Sequence, residues 1–218
     1  EYTFRAAACL EPCPRAPALR AWLAAHQGAM GPLLAVEGPV VALDLSVGSP
    51  LIESPEEPGD LACFTRKLFE RIADAGARIG IGRYDEARLL YGGAVFQAEG
   101  NDRETPRTVH IGLDLFVPAG TPVLAPLAGT VESVRDNGRG GDYGPTMILR
   151  HEPEAGPVFH TLYGHLGREV LSALRPGAPV ERGQPIATIG DLNVNGGWPP
   201  HLHFQLIADL LDRDGEFP

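Results

Sequence analysis

The chain of 218 residues has 18 basic and 28 acidic side chains, hence a net charge of −10, and 44% of its residues are hydrophobic. This length and apolar content suffice for a sizeable core, in one large domain or in one domain with a smaller one appended. The acidic balance and the lack of a basic run disfavour a nucleic-acid partner, and no apolar run approaches the length of a membrane span.

Both ends of the chain resemble ends cut from a longer sequence. The chain opens on Glu1 without a Met and stops at GEFP, and its N-terminus lacks the basic-then-apolar layout of a signal peptide. We therefore expect a piece of a longer protein whose targeting segment or neighbouring domains are missing. Three cysteines, odd in number and all in the first third, are expected to be free thiols rather than a disulfide framework: Cys9, Cys13 and Cys63.

Residues 1–95 form a small mixed α/β region by their sequence pattern, with no motif that assigns them a role. The segments RAPALRAWLAAHQGAM at 15–30 and LACFTRKLFERIADAG at 61–76 have apolar residues near helical spacing, which predicts two helices. Between them, VVALDLSVGSP predicts a strand that ends in a loop rich in Pro and Glu.

Residues 96–218 are expected to form a mainly β domain. From about residue 105 onward, short β-branched runs alternate with Gly and Pro, which is typical of an antiparallel sheet with tight turns. Two segments, AGTPVLAPLAGTVESV and PGAPVERGQPIATIG, echo each other and resemble the hairpins of biotinyl and lipoyl carrier domains. A carrier needs a Lys at its hairpin tip, and the only Lys is Lys67. We therefore expect barrel-sandwich hybrid-like hairpins without the carrier function.

Two stretches of the β domain place polar side chains on one strand face. Alternation puts His110, Gly112 and Asp114 on one face in VHIGLDLFV, and His201 and His203 on one face in HLHFQLIA. A catalytic zinc ion takes three protein ligands, commonly imidazole nitrogens and a carboxylate oxygen, and leaves a fourth position for water. His110, Asp114 and one histidine of the later pair would supply this set, and Gly112 leaves room for the ion.

A further histidine lies in TLYGHLG, where Tyr163 and Gly164 indicate that His165 ends a strand at a turn. Taken singly, each histidine is more typical of a structural role. The case for a site depends on HxxxD, YGH and HxH falling within one predicted domain. A structural zinc site is disfavoured, because such sites saturate the ion with four protein ligands and are rich in Cys, which the β domain lacks.

This ordered set resembles the lysostaphin and LytM-like zinc metallopeptidases. Order and spacing agree over about residues 107 to 208, roughly half of the chain. The matching segments are HIGLD at 110–114 with PAGTPVLAPLAGTV after it, LYGHL at 162–166, PGAPVERGQPIATIG, and PHLHF at 200–204. The resemblance implies an antiparallel sheet with an open groove.

By this resemblance His110, Asp114 and His203 bind one zinc ion per chain, and His165 and His201 are the catalytic residues. The implied reaction is hydrolysis of a peptide bond by a zinc-bound water that the two histidines assist. The implied enzyme is an endopeptidase acting on short Gly- or Ala-containing peptides such as those of peptidoglycan.

The loop before HxH departs from the family pattern. DLNVNGGWPPHLHF has Trp198 and two prolines where the family more often has small residues, and Gln205 stands where an acidic residue is common. We expect Trp198, Tyr163 and Gln205 to border the substrate groove. The metal chemistry therefore carries over from the family more directly than the substrate does.

A second function compatible with the same fold is a non-catalytic module that recognises cell-wall peptide or a protein partner. Inactive relatives generally lose one or more zinc ligands, whereas all the motif positions are present here, which favours the enzyme. His26 is expected to be a surface or packing histidine. His151 and His160 match no position of the pattern and are expected to be structural, with a contact of His160 to a ligand residue as the alternative.

The C-terminal phrase HLHFQLIADLLDRDGEFP also resembles the branch in which such a domain is joined to a sugar-kinase-like domain and a class III aminotransferase. That branch implies fusion domains outside this fragment, a cytoplasmic location and a small peptide or modified amine as substrate. A removed signal peptide would instead place the protein in the cell envelope or periplasm.

Overall fold

The structure, a computed structural model, describes residues 13–52, 61–88, 109–138 and 140–211. Within these ranges the chain is mainly β, with twelve strands and three α-helices. Cys9 and the expected boundary between residues 95 and 96 lie outside the described residues.

The two predicted helices are present. Helix α1 spans Ala16–Ala25 and is followed by a 3-10 turn at Gln27–Ala29, and helix α2 spans Leu61–Asp74. Helix α2 buries Phe64, Leu68 and Ile72, which lie on one face because they are four residues apart. A short third helix, α3 (Val170–Ala173), is a feature that the sequence pattern does not predict.

Twelve strands follow one another along the chain. They are β1 (Val40–Leu43), β2 (Ile79–Gly82), β3 (Glu86–Ala87), β4 (Val109–His110), β5 (Leu113–Phe116), β6 (Pro122–Leu124), β7 (Gly129–Asn137), β8 (Gly144–His151), β9 (Phe159–Gly164), β10 (Pro179–Val180), β11 (Pro185–Thr188) and β12 (His201–Ile207). The predicted strand between the helices is β1, and the predicted β domain contributes β4 to β12.

Eight strands form one large sheet in the order β1-β2-β5-β12-β9-β8-β7-β10. From β2 to β10 each neighbouring pair is antiparallel, as expected, but β1 and β2 are parallel, so the sheet as a whole is mixed. The two echoing segments contribute β6 and β11, which pair with each other in a separate two-stranded sheet. Among the described strands, none closes this arrangement into a barrel.

The predicted single strand over VHIGLDLFV is wrong in one respect. The structure divides it into β4 and β5, separated by a bend at Ile111 and Gly112. Strand β4 pairs with β3, whereas β5 joins the large sheet between β2 and β12. The bend brings His110 back toward Asp114, so the two side chains meet without sharing one strand.

The first part of the chain is built into the same sheet. Strand β2 pairs with β5, with Gly82 opposite Asp114, and β3 pairs with β4, with Glu86 opposite His110. Helix α2 packs over this end of the sheet in a cluster that includes Phe116. The proposed division of the chain into two regions stays a prediction, but strands from both regions meet at the HxxxD segment.

The main core lies on one face of the central strands, where Leu202, Phe204 and Tyr163 pack with residues of β6 and β11. The side chains of β12 alternate, so His201 and His203 point to the opposite face. The sheet thereby separates an apolar layer from a polar site. In the described part of the chain, no helix has the length and apolar character that crossing a membrane requires.

Candidate metal centre

The site is assembled by strand register. On β12, His203 lies directly opposite Asp114 of β5 on one side and Gly164 of β9 on the other. Side chains of directly paired residues share a face of the sheet, so the imidazole of His203 and the carboxylate of Asp114 point the same way. A Cβ at Gly164 would lie 2.8 Å from Cδ1 of Tyr143, so the glycine leaves room for that ring beside His203.

Three candidate ligand atoms form a triangle with equal edges. His110 Nε2 lies 3.1 Å from Asp114 Oδ1 and 3.1 Å from His203 Nδ1, and the last two atoms are also 3.1 Å apart. All three residues are buried. The structure therefore brings together the three residues that the resemblance assigns as metal ligands.

The donor set and its dimensions fit a zinc ion. Two imidazole nitrogens and one carboxylate oxygen are typical of catalytic zinc sites. Tetrahedral coordination with bonds of about 2.0 Å places ligand atoms about 3.3 Å apart. The 3.1 Å edges found here agree with that separation. Three ligands leave one tetrahedral position for water or substrate.

Hydrogen bonds fix the orientation of the two imidazoles of the triangle. His110 donates from Nδ1 to the backbone carbonyl of Arg83 over 2.8 Å, and His203 donates from Nε2 to Oε1 of Gln205 over 2.9 Å. With these nitrogens acting as donors, His110 Nε2 and His203 Nδ1 present lone pairs toward the triangle. Burial is the main reason that the pKa of His203 is lowered, which favours the neutral, ligating form.

Asp114 is held in its ionised form. Burial by itself raises the pKa of a carboxyl, but the interactions of Asp114 with His110, Arg88 and His201 outweigh it and hold the pKa of Asp114 well below its usual range. Arg88 donates from Nη1 to Asp114 Oδ2 over 2.6 Å, which leaves Oδ1 directed at the triangle.

His165 and His201 lie next to the triangle, with ring centroids 4.2 Å apart. His165 donates from Nδ1 to the Asn195 carbonyl over 2.8 Å, and His201 donates from Nδ1 to the Pro199 carbonyl over 2.6 Å. Burial lowers the pKa of His165 well below its usual range and that of His201 to about 4. Both imidazoles are therefore neutral at pH 7 with a lone pair on Nε2, as a general base requires.

His165 has a backbone conformation that residues other than glycine rarely adopt. Its φ is +61°, in the left-handed region, directly after the end of β9. Two hydrogen bonds hold it there: its N–H donates to the Tyr143 carbonyl over 2.8 Å, and its carbonyl accepts from Gly190 N–H over 2.9 Å. Strained conformations of this kind persist where the surroundings determine them, and they concentrate at functional sites.

The three residues of the triangle lie within a segment that matches a known protein family. Residues 108–213 match the sequence profile of Peptidase family M23. This part of the chain is an M23 peptidase domain.

Two curated relatives of the M23 domain are similar in sequence. An uncharacterized metalloprotease of Haemophilus influenzae is 38% identical over 96 residues, which are 44% of this chain and 18% of that protein. The peptidoglycan DD-endopeptidase ShyA of Vibrio cholerae is 34% identical over 99 residues, which are 45% of this chain and 20% of that protein. The chain thus spans about a fifth of the length of these two relatives.

A solved structure, the catalytic domain of lysostaphin from Staphylococcus simulans, is 28% identical to the M23 domain. The comparison covers 51% of this chain and 77% of that one, with a TM-score of 0.39.

Two of the three predicted groove residues, Tyr163 and Gln205, are buried. Tyr163 is fully buried in the main core of the M23 domain, where it packs edge-on against Phe204, so it cannot reach a substrate. Gln205 is also buried, and its carboxamide oxygen accepts hydrogen bonds from His203 and from Tyr143 Oη. Gln205 therefore orients the imidazole of His203.

Trp198 is the predicted groove residue that stays near the surface. It is partly buried, its indole Nε1 donates to the Asp142 carbonyl over 3.2 Å, and its ring centroid lies 6.3 Å from that of His165. Asn195 holds the loop, since its side-chain oxygen accepts from the Trp198 N–H and its amide donates to the Trp198 carbonyl. A role of Trp198 in the groove stays a prediction.

Gly112 makes room for the imidazole ring of His203. A Cβ at this position would lie 2.5 Å from both Cε1 and Nε2 of His203. The sequence interpretation, in which Gly112 leaves space for the ion itself, is therefore revised: the group that needs the space is the imidazole of His203.

The remaining histidines lie away from the ligand triangle. His26 stacks on Trp22 at the end of α1, and His151 bonds the Ala128 carbonyl and the Thr161 hydroxyl. His160 lies opposite Ile207, four positions along β12 from His203.

The sequence pattern does not predict four residues that shape the site: Arg83, Arg88, Tyr143 and Asn195. Asn195 had a usable signal, because an Asn before two glycines is typical of a side chain that caps its own turn. Arg83 and Arg88 had none, because they act on Asp114 and His110 from a distant part of the sequence.

Proposed function

We propose that the M23 domain is a zinc-dependent peptidase that hydrolyses bonds within short Gly- or Ala-containing peptides of the peptidoglycan type. The observation that carries the proposal is the 3.1 Å triangle of His110, Asp114 and His203 with two neutral histidines beside it. The substrate class is supported by the similarity to a protein named peptidoglycan DD-endopeptidase.

His110, Asp114 and His203 would hold the zinc ion. When bound, zinc supplies Lewis acidity, which lowers the pKa of water toward neutrality and polarises a carbonyl oxygen. Two neutral imidazoles and one carboxylate give the ligand set a single negative charge, so the loaded site keeps a net positive charge that favours electron-rich carbonyl groups.

His165 and His201 would move the proton. Their Nδ1 atoms are committed to the carbonyls of Asn195 and Pro199, so Nε2 is the atom of each ring that can accept a proton from the attacking water. The imidazolium formed in this way becomes an N–H donor. It can return the proton to the departing amine, which completes peptide hydrolysis without a further acid.

The proposal is tested by hydrolysis of defined peptides. The purified protein, supplied with zinc, is incubated with Gly- and Ala-containing peptides and with purified peptidoglycan fragments, and mass spectrometry identifies new termini. We expect cleavage that stops on addition of a chelator and returns with zinc, and no cleavage by His203→Ala or His165→Ala. Binding of these peptides by the zinc-loaded protein without cleavage would show a recognition module and contradict the enzyme.

A further inference from the structure

Residues before the M23 match form part of the metal centre. The matched segment begins at residue 108, but the main-chain partner of His110 and the charged partner of Asp114 both lie in the segment 82–88. This segment is held in register by two strand pairs, with Gly82 opposite Asp114 and Glu86 opposite His110. It therefore contacts both ligands of the HxxxD motif.

Arg88 is the central side chain of this segment. It is only 4% exposed, it donates from Nη1 to Asp114 Oδ2 over 2.6 Å, and it donates from Nε to Glu86 Oε2 over 2.9 Å. Buried charges require partners of opposite sign, and Arg88 has one carboxylate on each side. The planar guanidinium can bond both at once, which a compact ammonium group does less well.

Glu86 fixes Arg88 in turn. Its other oxygen, Oε1, accepts from the Leu45 N–H over 3.1 Å and from Arg83 Nε over 3.0 Å. Arg83 also bonds Asp44 Oδ1 from Nη2 over 2.6 Å. A chain of alternating charges thus runs from the surface to Asp114, and each buried carboxylate or guanidinium in it is engaged on two sides.

The geometry at Asp114 has a consequence for coordination. Oδ1 faces the ligand triangle, at 3.1 Å from His110 Nε2 and from His203 Nδ1, while Oδ2 is occupied by Arg88. A carboxylate whose second oxygen is committed to a guanidinium offers a metal only one oxygen. The other coordination position then stays open for water or substrate, as catalysis at zinc requires.

We propose that Arg88, anchored by Glu86, is a positioning residue that restricts Asp114 to one-oxygen coordination of the metal. This inference depends on the proposed function in that it needs the metal site to be real. It assigns the segment 82–88, which lies outside the family match, a direct part in shaping that site.

The test uses cobalt as a spectroscopic substitute for zinc in the full chain. Four-coordinate Co²⁺ absorbs visible light more strongly than five-coordinate Co²⁺, so the spectrum reports whether Asp114 supplies one oxygen or two. The variants are Arg88→Gln, which removes the guanidinium, and Arg88→Lys, which keeps a positive charge but not the planar group that bonds two carboxylates at once. Arg66→Gln, in an exposed pair with Glu70 on α2, is the matched control.

We expect Arg88→Gln to weaken the cobalt absorption and to lower zinc affinity, measured by competition with a chromogenic chelator, by about 10- to 100-fold. Arg88→Lys should shift both readouts in the same direction by less, and Arg66→Gln should leave both unchanged. Thermal unfolding of the metal-free proteins separates a change in coordination from a loss of fold. If Arg88→Gln does not fold, Arg88→Lys alone decides the inference.

Two results would overturn the inference in different ways. If the wild-type protein binds cobalt and the folded Arg88 variants have its spectrum and its zinc affinity, Arg88 does not restrict Asp114 and the inference alone fails. If the wild-type protein binds neither cobalt nor zinc, the proposed function fails and the inference fails with it.

Discussion

The rings of His165 and His201 lie beside each other at a centroid separation of 4.2 Å, yet each is fixed by a different part of the main chain. His165 donates to the Asn195 carbonyl and His201 to the Pro199 carbonyl, so each ring has a main-chain anchor outside the ligand triangle, and His201 Nε2 also lies 3.6 Å from Asp114 Oδ1. The groups that hold the metal and the groups that move the proton should therefore be separable by substitution.

The first prediction separates these two roles. His203→Ala removes one corner of the ligand triangle and should abolish stable zinc binding. His165→Ala leaves the triangle intact and should retain zinc while losing peptide hydrolysis. Elemental analysis of both purified variants, together with a peptide cleavage assay, checks the prediction. Equal loss of zinc in the two variants would mean that this division between ligand and catalytic residue is wrong.

The second prediction concerns the space at Gly112. Gly112→Ala would place a methyl group 2.5 Å from ring atoms of His203, so the imidazole must move out of the triangle. We expect zinc affinity to fall on the order of 10- to 100-fold, the size typical of a disturbed ligand environment. Chelator competition measures the effect. Gly28→Ala is the control, because its added Cβ would meet nothing within 4 Å; an equal change in both variants would contradict the prediction.

The third prediction concerns Gln205, which accepts the hydrogen bond from His203 Nε2. Gln205→Ala removes that acceptor and should weaken zinc binding by about 10-fold or more. Gln205→Glu supplies a carboxylate, which makes the ligating nitrogen of His203 more basic and should tighten binding. Isothermal titration of the metal-free proteins with zinc gives both affinities. An unchanged affinity in the Ala variant would show that Gln205 does not support His203.

The fourth prediction concerns the acid stability of the fold away from the metal. Burial is the main reason that the pKa of His160 falls from 6.5 to about 4, and nearby charges contribute. Arg150, His151 and Arg15 lower this pKa further, whereas Asp209 raises it. Between pH 6.5 and about 4 the unfolded chain binds a proton at this position and the folded chain does not, so stability falls as the pH falls.

His160→Gln removes this titration, so its free energy of unfolding should decline less over the same window than that of the wild type. Urea unfolding of the metal-free proteins at several pH values measures the difference and keeps zinc release out of the comparison. The expected result is two curves that converge toward low pH. Parallel curves would mean that His160 does not titrate as its surroundings imply.

The sequence predicts those parts of the site that depend on local alternation. On β12 the period of two places His201 and His203 on one face and Leu202 in the core, as the structure has them. The helices α1 and α2 are likewise predictable from the sequence, because their apolar residues recur at helical spacing.

Strand alternation does not predict the environment of Tyr163, because β9 ends at Gly164, before His165. In a continuous strand Tyr163 and His165 would share a face. The left-handed conformation of His165, with φ at +61°, reverses the direction of its side chain. His165 therefore reaches the site while Tyr163 stays in the core.

The role of Arg88 is not readable from the sequence for a different reason. Its contact with Asp114 joins residues 26 positions apart, and it exists only because β2 pairs with β5 and β3 with β4. A local pattern contains no information on such pairing. The long-range contacts that complete a metal site appear only in the folded chain.

The central claim is that His110, Asp114 and His203 form a zinc site. Its most direct test is the metal content of the purified, tag-free protein, measured by elemental mass spectrometry after incubation with zinc and removal of excess metal. We expect about one zinc ion per chain, the stoichiometry of a single catalytic site with three protein ligands. A protein that retains no zinc under these conditions would contradict it.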